Sequence, residues 1–202
     1  MPARRPPSDR QPDLLGDAAP PAVHRLFLAL MPDAAVRERL ARLARALRER
    51  HPALRARWVD PARYHATVYF LGDHAGLRAD VVAAAQAAMA TLRVAPFAWT
   101  LDYAASFRGR LPPCVLRGSA TPAPLQQLRE ELRRTLAASL RGVPVERGFT
   151  PHVTLAYSRG GLLENTPVEP VDWRVDELAL VHSVAGEPHY RVLARRRLGT
   201  EE

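Results

Sequence analysis

The feature that most constrains this fold is a short motif that occurs twice. The segment "HATVYFLG" begins at His65, and "HVTLAYSR" begins at His152. Each copy places a histidine two residues before a threonine, within a run rich in the aromatic and aliphatic residues that strands favour. A polar motif repeated inside two strands indicates two related halves that meet at a common site.

The strand period predicts which motif residues share a face. Successive side chains of a strand point to opposite faces, so His65, Thr67 and Tyr69 are predicted on one face, and His152, Thr154 and Ala156 on the matching face of the second copy. The apolar reverse faces are predicted to hold Ala66, Val68 and Phe70 in the first copy and Val153, Leu155 and Tyr157 in the second.

The rest of the chain alternates helical and strand patterns. Apolar residues at helical spacing predict helices after Asp33, over about 79–92 and from Thr121, the last with a leucine stripe from Leu125 to Leu140. Apolar runs between them, such as "RLFLALMP", predict strands. We therefore expect an α+β fold: two pseudo-two-fold lobes whose antiparallel sheets line a central cleft, with helices packed outside. Residues 1–23 are expected to form a disordered tail and residues 24–202 the two-lobed domain.

Composition excludes several classes of chemistry. All 29 basic residues are arginine, which excludes a P-loop lysine, a Schiff-base lysine and a lysyl-adenylate intermediate. The single cysteine, Cys114, excludes an internal disulfide and favours a reducing, cytoplasmic location. No run has transmembrane length, and no histidine, cysteine or carboxylate pattern predicts a metal site. The net charge of +8 favours an anionic partner, although the arginine bias of the whole chain weakens that argument.

Two histidines and two threonines around one site suit phosphodiester chemistry. A neutral imidazole can accept a proton from water while a protonated one donates to the leaving oxygen, and both forms coexist near neutral pH. The hydroxyls of Thr67 and Thr154 could hydrogen-bond the non-bridging phosphate oxygens. No cofactor or metal is required. Each motif alone could be a strand with a polar solvent face, but two matched copies favour the paired site.

These segments resemble the duplicated His-x-Thr/Ser motifs of the two-histidine (2H) phosphoesterase superfamily, and within it the RNA 2′,3′-cyclic phosphodiesterases, also called 2′-5′ RNA ligase-like proteins. "RLFLALMPD" is similar to the opening of that family, "ARWVDPARYHATVYFLG" and "VERGFTPHVTLAYS" to its two motif regions, and "VDELALVHSV" to a closing strand. The resemblance implies a bilobal fold and hydrolysis of an RNA 2′,3′-cyclic phosphate end to a 2′-phosphomonoester.

The resemblance also implies residue roles. His65 would donate a proton to the leaving 3′ oxygen, His152 would accept one from water, and Thr67 and Thr154 would hold the phosphate. The sequence alone does not assign acid and base. The chain departs from the family at Tyr157, where members often carry arginine.

Further candidates and alternatives remain open. Arg159 shares the parity of Tyr157 and could replace the arginine, Arg108 could contact the RNA backbone from a loop, and Tyr190 could contact RNA at a strand rim. The expected partner is RNA with a 2′,3′-cyclic phosphate end, possibly a tRNA fragment, bound by a monomer without a membrane or an obligate protein partner. The alternatives are reversible, ATP-independent 2′-5′ ligation and an RNA-binding module without turnover.

Overall fold

The computed structural model describes residues 22–140 and 148–199. The α-helices are α1 (Ala34–Arg50), α2 (Ala79–Ala90) and α3 (Ala123–Ser139), and short 3-10 turns cover Pro52–Leu54 and Pro61–Arg63. The strands are β1 (His24–Leu30), β2 (Arg57–Trp58), β3 (Ala66–His74), β4 (Phe97–Ser106), β5 (Pro113–Arg117), β6 (Val153–Tyr157), β7 (Thr166–Val175), β8 (Glu177–Val184) and β9 (Arg191–Arg197). Most of the predicted tail lies outside the described residues; its last residue, Val23, accepts a hydrogen bond from the backbone N–H of Ala185.

The described strands form one antiparallel sheet with a repeated half. The order is β7-β4-β5-β6-β3-β1-β8-β9, and β2 pairs with β6. The halves β3-β1-β8-β9 and β6-β5-β4-β7 correspond strand for strand, each with a motif strand innermost. A single pair of described residues, Ala66 with Val153, joins β3 to β6. The α+β class and the pseudo-two-fold arrangement are therefore confirmed, with the two half-sheets continuous through the motif strands.

The helices cover one face of this sheet. Each predicted helical stripe is buried: Leu40 and Leu47 of α1 and Leu128 and Leu132 of α3 are fully inaccessible and belong to one core with the inward residues of the strands. The side chain of Asp33 caps α1 by accepting from the Val36 N–H at 2.7 Å. Burial of these side chains stabilises the sheet through the hydrophobic effect.

Three predicted helix termini are displaced by one or two residues. The third helix begins at Ala123 and not at Thr121, because Pro122 takes an extended conformation and precedes the first helical residue. It ends at Ser139, so Leu140 follows the helix and packs partly buried against the core. The second helix ends at Ala90, beyond which Leu92 remains buried.

We call the opposite face of the sheet the open face. It carries a smaller hydrophobic cluster in which, among the described residues, no helical side chain takes part. Phe27, Ala29, Ala179 and Val181 form this cluster in the first half of the sheet, with Tyr190 packed against it. Along β1, Leu26, Leu28 and Leu30 point to the helix-covered core instead. The strand period therefore divides β1 between two environments.

The first motif strand contains a β-bulge immediately after its threonine. Thr67 lies opposite Ala29 of β1, and Tyr69 lies opposite Leu28, so Val68 is the extra residue of this ladder. A bulge lets two consecutive side chains enter the same face. Val68 and Tyr69 are accordingly both buried in the helix-covered core.

The second motif strand contains the same bulge at the matching position. Thr154 lies opposite Val115 of β5 and Ala156 lies opposite Cys114, so Leu155 is the extra residue. Leu155 and Ala156 both point into the core. The repeat thus extends beyond the motif letters to an irregularity three residues after each histidine.

These bulges correct the predicted faces beyond the threonines. Tyr69 lies in the core and not beside the first histidine, whereas Phe70 packs against the open-face cluster. Tyr157 likewise points away from the core that holds Leu155, and its ring contacts the Arg57 guanidinium, 5.1 Å from the ring centre. The strict two-residue period failed because each bulge inserts one unpaired residue.

Within the described ranges, 22–140 and 148–199, no helix is long and apolar enough to span a membrane.

Candidate active site

The motif histidines lie side by side at the point where the two halves of the sheet meet. His65 and His152 directly precede β3 and β6, and the residues that follow them, Ala66 and Val153, form the pair between these strands. A turn before β3 is fixed by Asp60, whose carboxylate accepts from the Ala62 N–H at 2.8 Å. The sheet register therefore brings residues from two distant parts of the sequence into one site.

Both imidazole rings are oriented by the same backbone contact. Nδ1 of His65 donates to the carbonyl of Arg63 at 2.8 Å, and Nδ1 of His152 donates to the carbonyl of Thr150 at 2.7 Å. A carbonyl only accepts, so each Nδ1 carries a proton. Each Nε2 is then the reactive atom: it accepts a proton in the neutral ring and donates one in the imidazolium form.

The surroundings of His65 disfavour its charged form. Its ring lies 4.9 Å from the Phe27 ring and meets the edge of Tyr190 at 5.3 Å, measured between ring centres. Burial lowers the pKa of His65 to about 4, and the neighbouring positive charges of His152 and Arg63 act in the same direction. In the free protein at neutral pH, this imidazole is therefore neutral with a lone pair on Nε2.

The two threonines flank the histidines on the open face. Thr67 lies opposite Ala29, a member of the open-face cluster, and Thr154 lies opposite Val115. Both threonines are partly exposed. The structure thus brings the four predicted motif residues to the central two strands, with both hydroxyls on the face where a ligand has access.

The remaining candidates occupy different places. Tyr190 contacts His65 and lies under the Arg63 guanidinium, 4.5 Å from its ring centre, so it belongs to the site. Arg108 lines a cavity beside His152. Arg159 lies beyond the end of β6, exposed, with its backbone N–H donating to the carbonyl of Leu54 at 3.2 Å.

Several site residues escaped the sequence analysis. Phe27 lies in an apolar run and is buried in the open-face cluster, and its ring also contacts His65. Arg57 and Arg63 carried no motif signal, although each guanidinium lies over an aromatic ring of the open face. Phe107 lies in the loop between β4 and β5, belongs to no motif, and meets the His152 ring edge-on at 4.8 Å.

The positive charge of a further arginine, Arg25, is largely neutralised by the carboxylate of Asp73. Arg25 forms a two-pronged ion pair with Asp73, with Nε–Oδ1 and Nη2–Oδ2 distances of 2.7 and 2.9 Å, and the guanidinium lowers the pKa of that carboxyl. Its guanidinium also lies 5.9 Å from the centre of the Phe70 ring. In the described part of the chain, no group of three or more histidine, cysteine or acidic side chains is placed to hold a metal.

This fold, with one histidine and one threonine contributed to the site by each half, matches the fold of solved LigT structures. The family model described as "LigT like Phosphoesterase" matches residues 30–116, a range that contains the first motif. Solved structures of E. coli LigT are similar over 88% of this chain. The chain is therefore similar in sequence and in fold to the LigT-like phosphoesterases.

Three structural relatives illustrate the likeness. E. coli LigT complexed with 3′-AMP is 28% identical with a TM-score of 0.71, and its apo form is 29% identical with a TM-score of 0.70; each comparison covers 88% of this chain and 99% of the other. TT0787 of Thermus thermophilus is 26% identical with a TM-score of 0.69, covering 88% of this chain and all of that one. Among curated proteins, the sequence search finds no match.

Proposed function

We propose that this protein hydrolyses RNA ends that carry a 2′,3′-cyclic phosphate, leaving a 2′-phosphomonoester. The observation that carries the proposal is the pair of imidazoles that directly precede adjacent strands, each with Nδ1 donating to a backbone carbonyl, so that Nε2 is the atom that exchanges a proton. Binding of a phosphate alone would not require a matched acid and base. The likeness to E. coli LigT, which has been crystallised with 3′-AMP, ATP and NADP+, supports a nucleotide ligand.

In the proposed reaction, Thr67 and Thr154 hold the non-bridging oxygens of the cyclic phosphate. His152 accepts a proton from water at Nε2, the water oxygen forms a bond to phosphorus, and the bond from phosphorus to the 3′ oxygen breaks. The leaving oxygen takes the Nε2 proton of His65. Acid and base roles follow the family resemblance, and the proton gained at one histidine replaces, through solvent, the proton lost at the other.

The donor role of His65 requires that substrate binding restores its proton. Burial holds the pKa of His65 at about 4 in the free protein. A phosphate anion within hydrogen-bonding reach favours the imidazolium and raises this pKa. We therefore propose that substrate binding leads His65 to take up a proton from solvent, because the anion that is to be cleaved stabilises the charged form of the ring.

We propose that the substrate is an RNA end and that the protein acts in the cytoplasm. Arg57 and Arg63 place positive charge over aromatic rings at the site, an arrangement suited to both phosphates and bases. The buried thiol of Cys114, whose pKa burial raises to about 11, is unreactive and needs no oxidising compartment.

The test is turnover of a short RNA ending in a 2′,3′-cyclic phosphate, with EDTA present. We expect a 2′-phosphate product from the intact protein, none from His152→Ala, and normal turnover from the matched control His51→Ala, whose side chain lies at the end of α1. A folded protein that leaves the end intact would refute the proposal. Formation of a 2′-5′ linkage from this RNA and a second RNA with a free 5′-hydroxyl would favour ligation instead.

A further inference from the structure

A cavity of about 580 Å³ lies next to the second histidine, on the open face. It shares two walls with the catalytic site, because Thr150, whose carbonyl holds the His152 ring, and Phe107, whose ring contacts it, both line the cavity. Its floor includes Ala105 of β4, which lies opposite Val115, the partner of Thr154 on β5. A ligand whose phosphate contacts Thr154 can therefore extend directly into the cavity.

One wall of the cavity lies at the end of β4 and is held in place by backbone and side-chain hydrogen bonds. Ser106 and Leu163 exchange two hydrogen bonds: the Ser106 N–H donates to the Leu163 carbonyl at 2.8 Å, and the Leu163 N–H donates to the Ser106 hydroxyl oxygen at 3.0 Å. These bonds fix the segment that brings Glu164 and Asn165 to the cavity. The cavity is thus a preformed feature of the second half.

The polar groups of the cavity include both hydrogen-bond donors and hydrogen-bond acceptors. A terminal nitrogen of Arg117 donates to the side-chain oxygen of Asn165 at 2.8 Å, which leaves the amide nitrogen of Asn165 as a donor. Nε of Arg117 is buried and has no hydrogen-bond partner among the described residues. Buried polar groups are normally paired, so this donor indicates a ligand or water acceptor. Glu164 adds a carboxylate acceptor.

The lining also includes the Arg108 guanidinium, so two cationic groups and one carboxylate surround the cavity. This set of groups suits a flat ligand that presents acceptors on one edge and donors on another, with an aromatic ring, Phe107, and a small residue, Ala105, beside its plane. Guanine has this pattern. Its O6 and N7 accept from arginine, and its N1–H and N2–H₂ donate to a carboxylate.

We propose that this cavity binds the base of the nucleoside whose phosphate lies between Thr67 and Thr154, and that it selects guanine. The inference rests on the proposed function, since the base is positioned by the phosphate. Arg117 lies two residues from Val115 along β5, about 6.7 Å from the position opposite Thr154. One nucleoside therefore links the catalytic phosphate to the guanidinium and to Glu164.

The test compares the four nucleoside 2′,3′-cyclic monophosphates as substrates of the intact protein. We expect kcat/KM for the guanosine compound to exceed that for the uridine and cytidine compounds about tenfold or more, the range of a single good base contact. Glu164→Gln should lower kcat/KM for the guanosine compound and so remove most of this preference. Because Glu164 is exposed, this variant is expected to fold. The control Glu169→Gln alters an exposed carboxylate of β7 and should keep the preference.

The outcomes separate the two claims. Equal turnover of all four compounds, or a preference that survives Glu164→Gln, overturns the base assignment and leaves the hydrolysis intact. If none of the four is hydrolysed, the proposed reaction fails, and the base assignment is then tested by calorimetric binding of guanosine and uridine 2′-monophosphates. Tighter binding of the guanosine compound that Glu164→Gln weakens supports the base assignment. Equal binding of the two compounds overturns it.

Discussion

The two motif histidines have the same backbone contact but different surroundings, and this difference shapes the chemistry of the site. His65 is enclosed by Phe27, Tyr190 and the Arg63 side chain, whereas His152 meets Phe107 edge-on. Enclosure favours the neutral ring because burial penalises charge. The site is therefore symmetric in its backbone contacts, while burial disfavours the charged form of one of its two rings, that of His65.

The enclosure of His65 predicts a pH-dependent stability. Its pKa is about 4 when folded and about 6.5 when unfolded, so between these values the unfolded state binds more protons and is favoured as the pH falls. This group should lower the free energy of unfolding by at most roughly 3 kcal/mol between pH 7 and pH 4. Chemical denaturation of the intact protein and of His65→Gln at both values measures it. A loss of stability that is identical in the two proteins would contradict the enclosure.

The threonines are predicted to act on the charge of the transition state. Thr67→Val and Thr154→Val should each lower kcat about 100-fold, because each removes one hydroxyl donor to a non-bridging oxygen while keeping the strand shape. Thr135→Val, which removes a hydroxyl that bonds within α3, is the matched control and should leave kcat unchanged. Steady-state kinetics on an RNA 2′,3′-cyclic end checks this. Normal kcat in both motif variants would show that the hydroxyls have another role.

At the scale of single elements, helices were easier to predict than strands. The stripe of α3 follows the 3.6-residue period, so burial of Leu128 and Leu132 could be anticipated from spacing alone. The faces of Tyr69 and Tyr157 could not, because a bulge depends on pairing with β1 or β5, which are distant in sequence. The contact between Phe27 and His65 likewise depends on the pairing of β1 with β3, which the local sequence around Phe27 does not reveal.

The leucine stripe of α3 predicts where stability resides. Leu132→Ala should lower the free energy of unfolding by about 2–5 kcal/mol, because the side chain is fully buried and its removal leaves a cavity. Gln127→Ala changes an exposed residue of the same helix and should shift it by less than about 0.5 kcal/mol. Denaturant titration measures both. A small loss in Leu132→Ala would mean that α3 contributes little to the core.

At the scale of the whole molecule, the helices connect the two halves. α1 follows β1 in the first half but packs against β7 of the second, and α3 follows β5 in the second half but packs against β3 of the first. Within the described residues, only one pair joins the motif strands directly. The core beneath the sheet, shared by both halves, therefore holds the histidines at a fixed separation.

The charge of the molecule predicts salt-sensitive RNA binding. With a net charge of +8, and with Arg63 over the Tyr190 ring at the site, binding of a single-stranded RNA should weaken as salt rises. Arg63→Gln should reduce the slope of log K against log salt by about 0.7, the value for one phosphate contact. Arg48→Gln, an exposed position on α1, is the control. An unchanged slope in Arg63→Gln would mean that Arg63 makes no contact with an RNA phosphate.

The central claim is that His65 and His152 work as one acid and base pair. Single-turnover rates on an RNA 2′,3′-cyclic end, measured for both single alanine variants and for the double variant, test it most directly. Each single change should reduce the rate about 100- to 10,000-fold, and the double variant should be little worse than either, because neither proton transfer is productive without the other. A single variant that retains most of the rate, or losses that simply multiply in the double variant, would contradict the account.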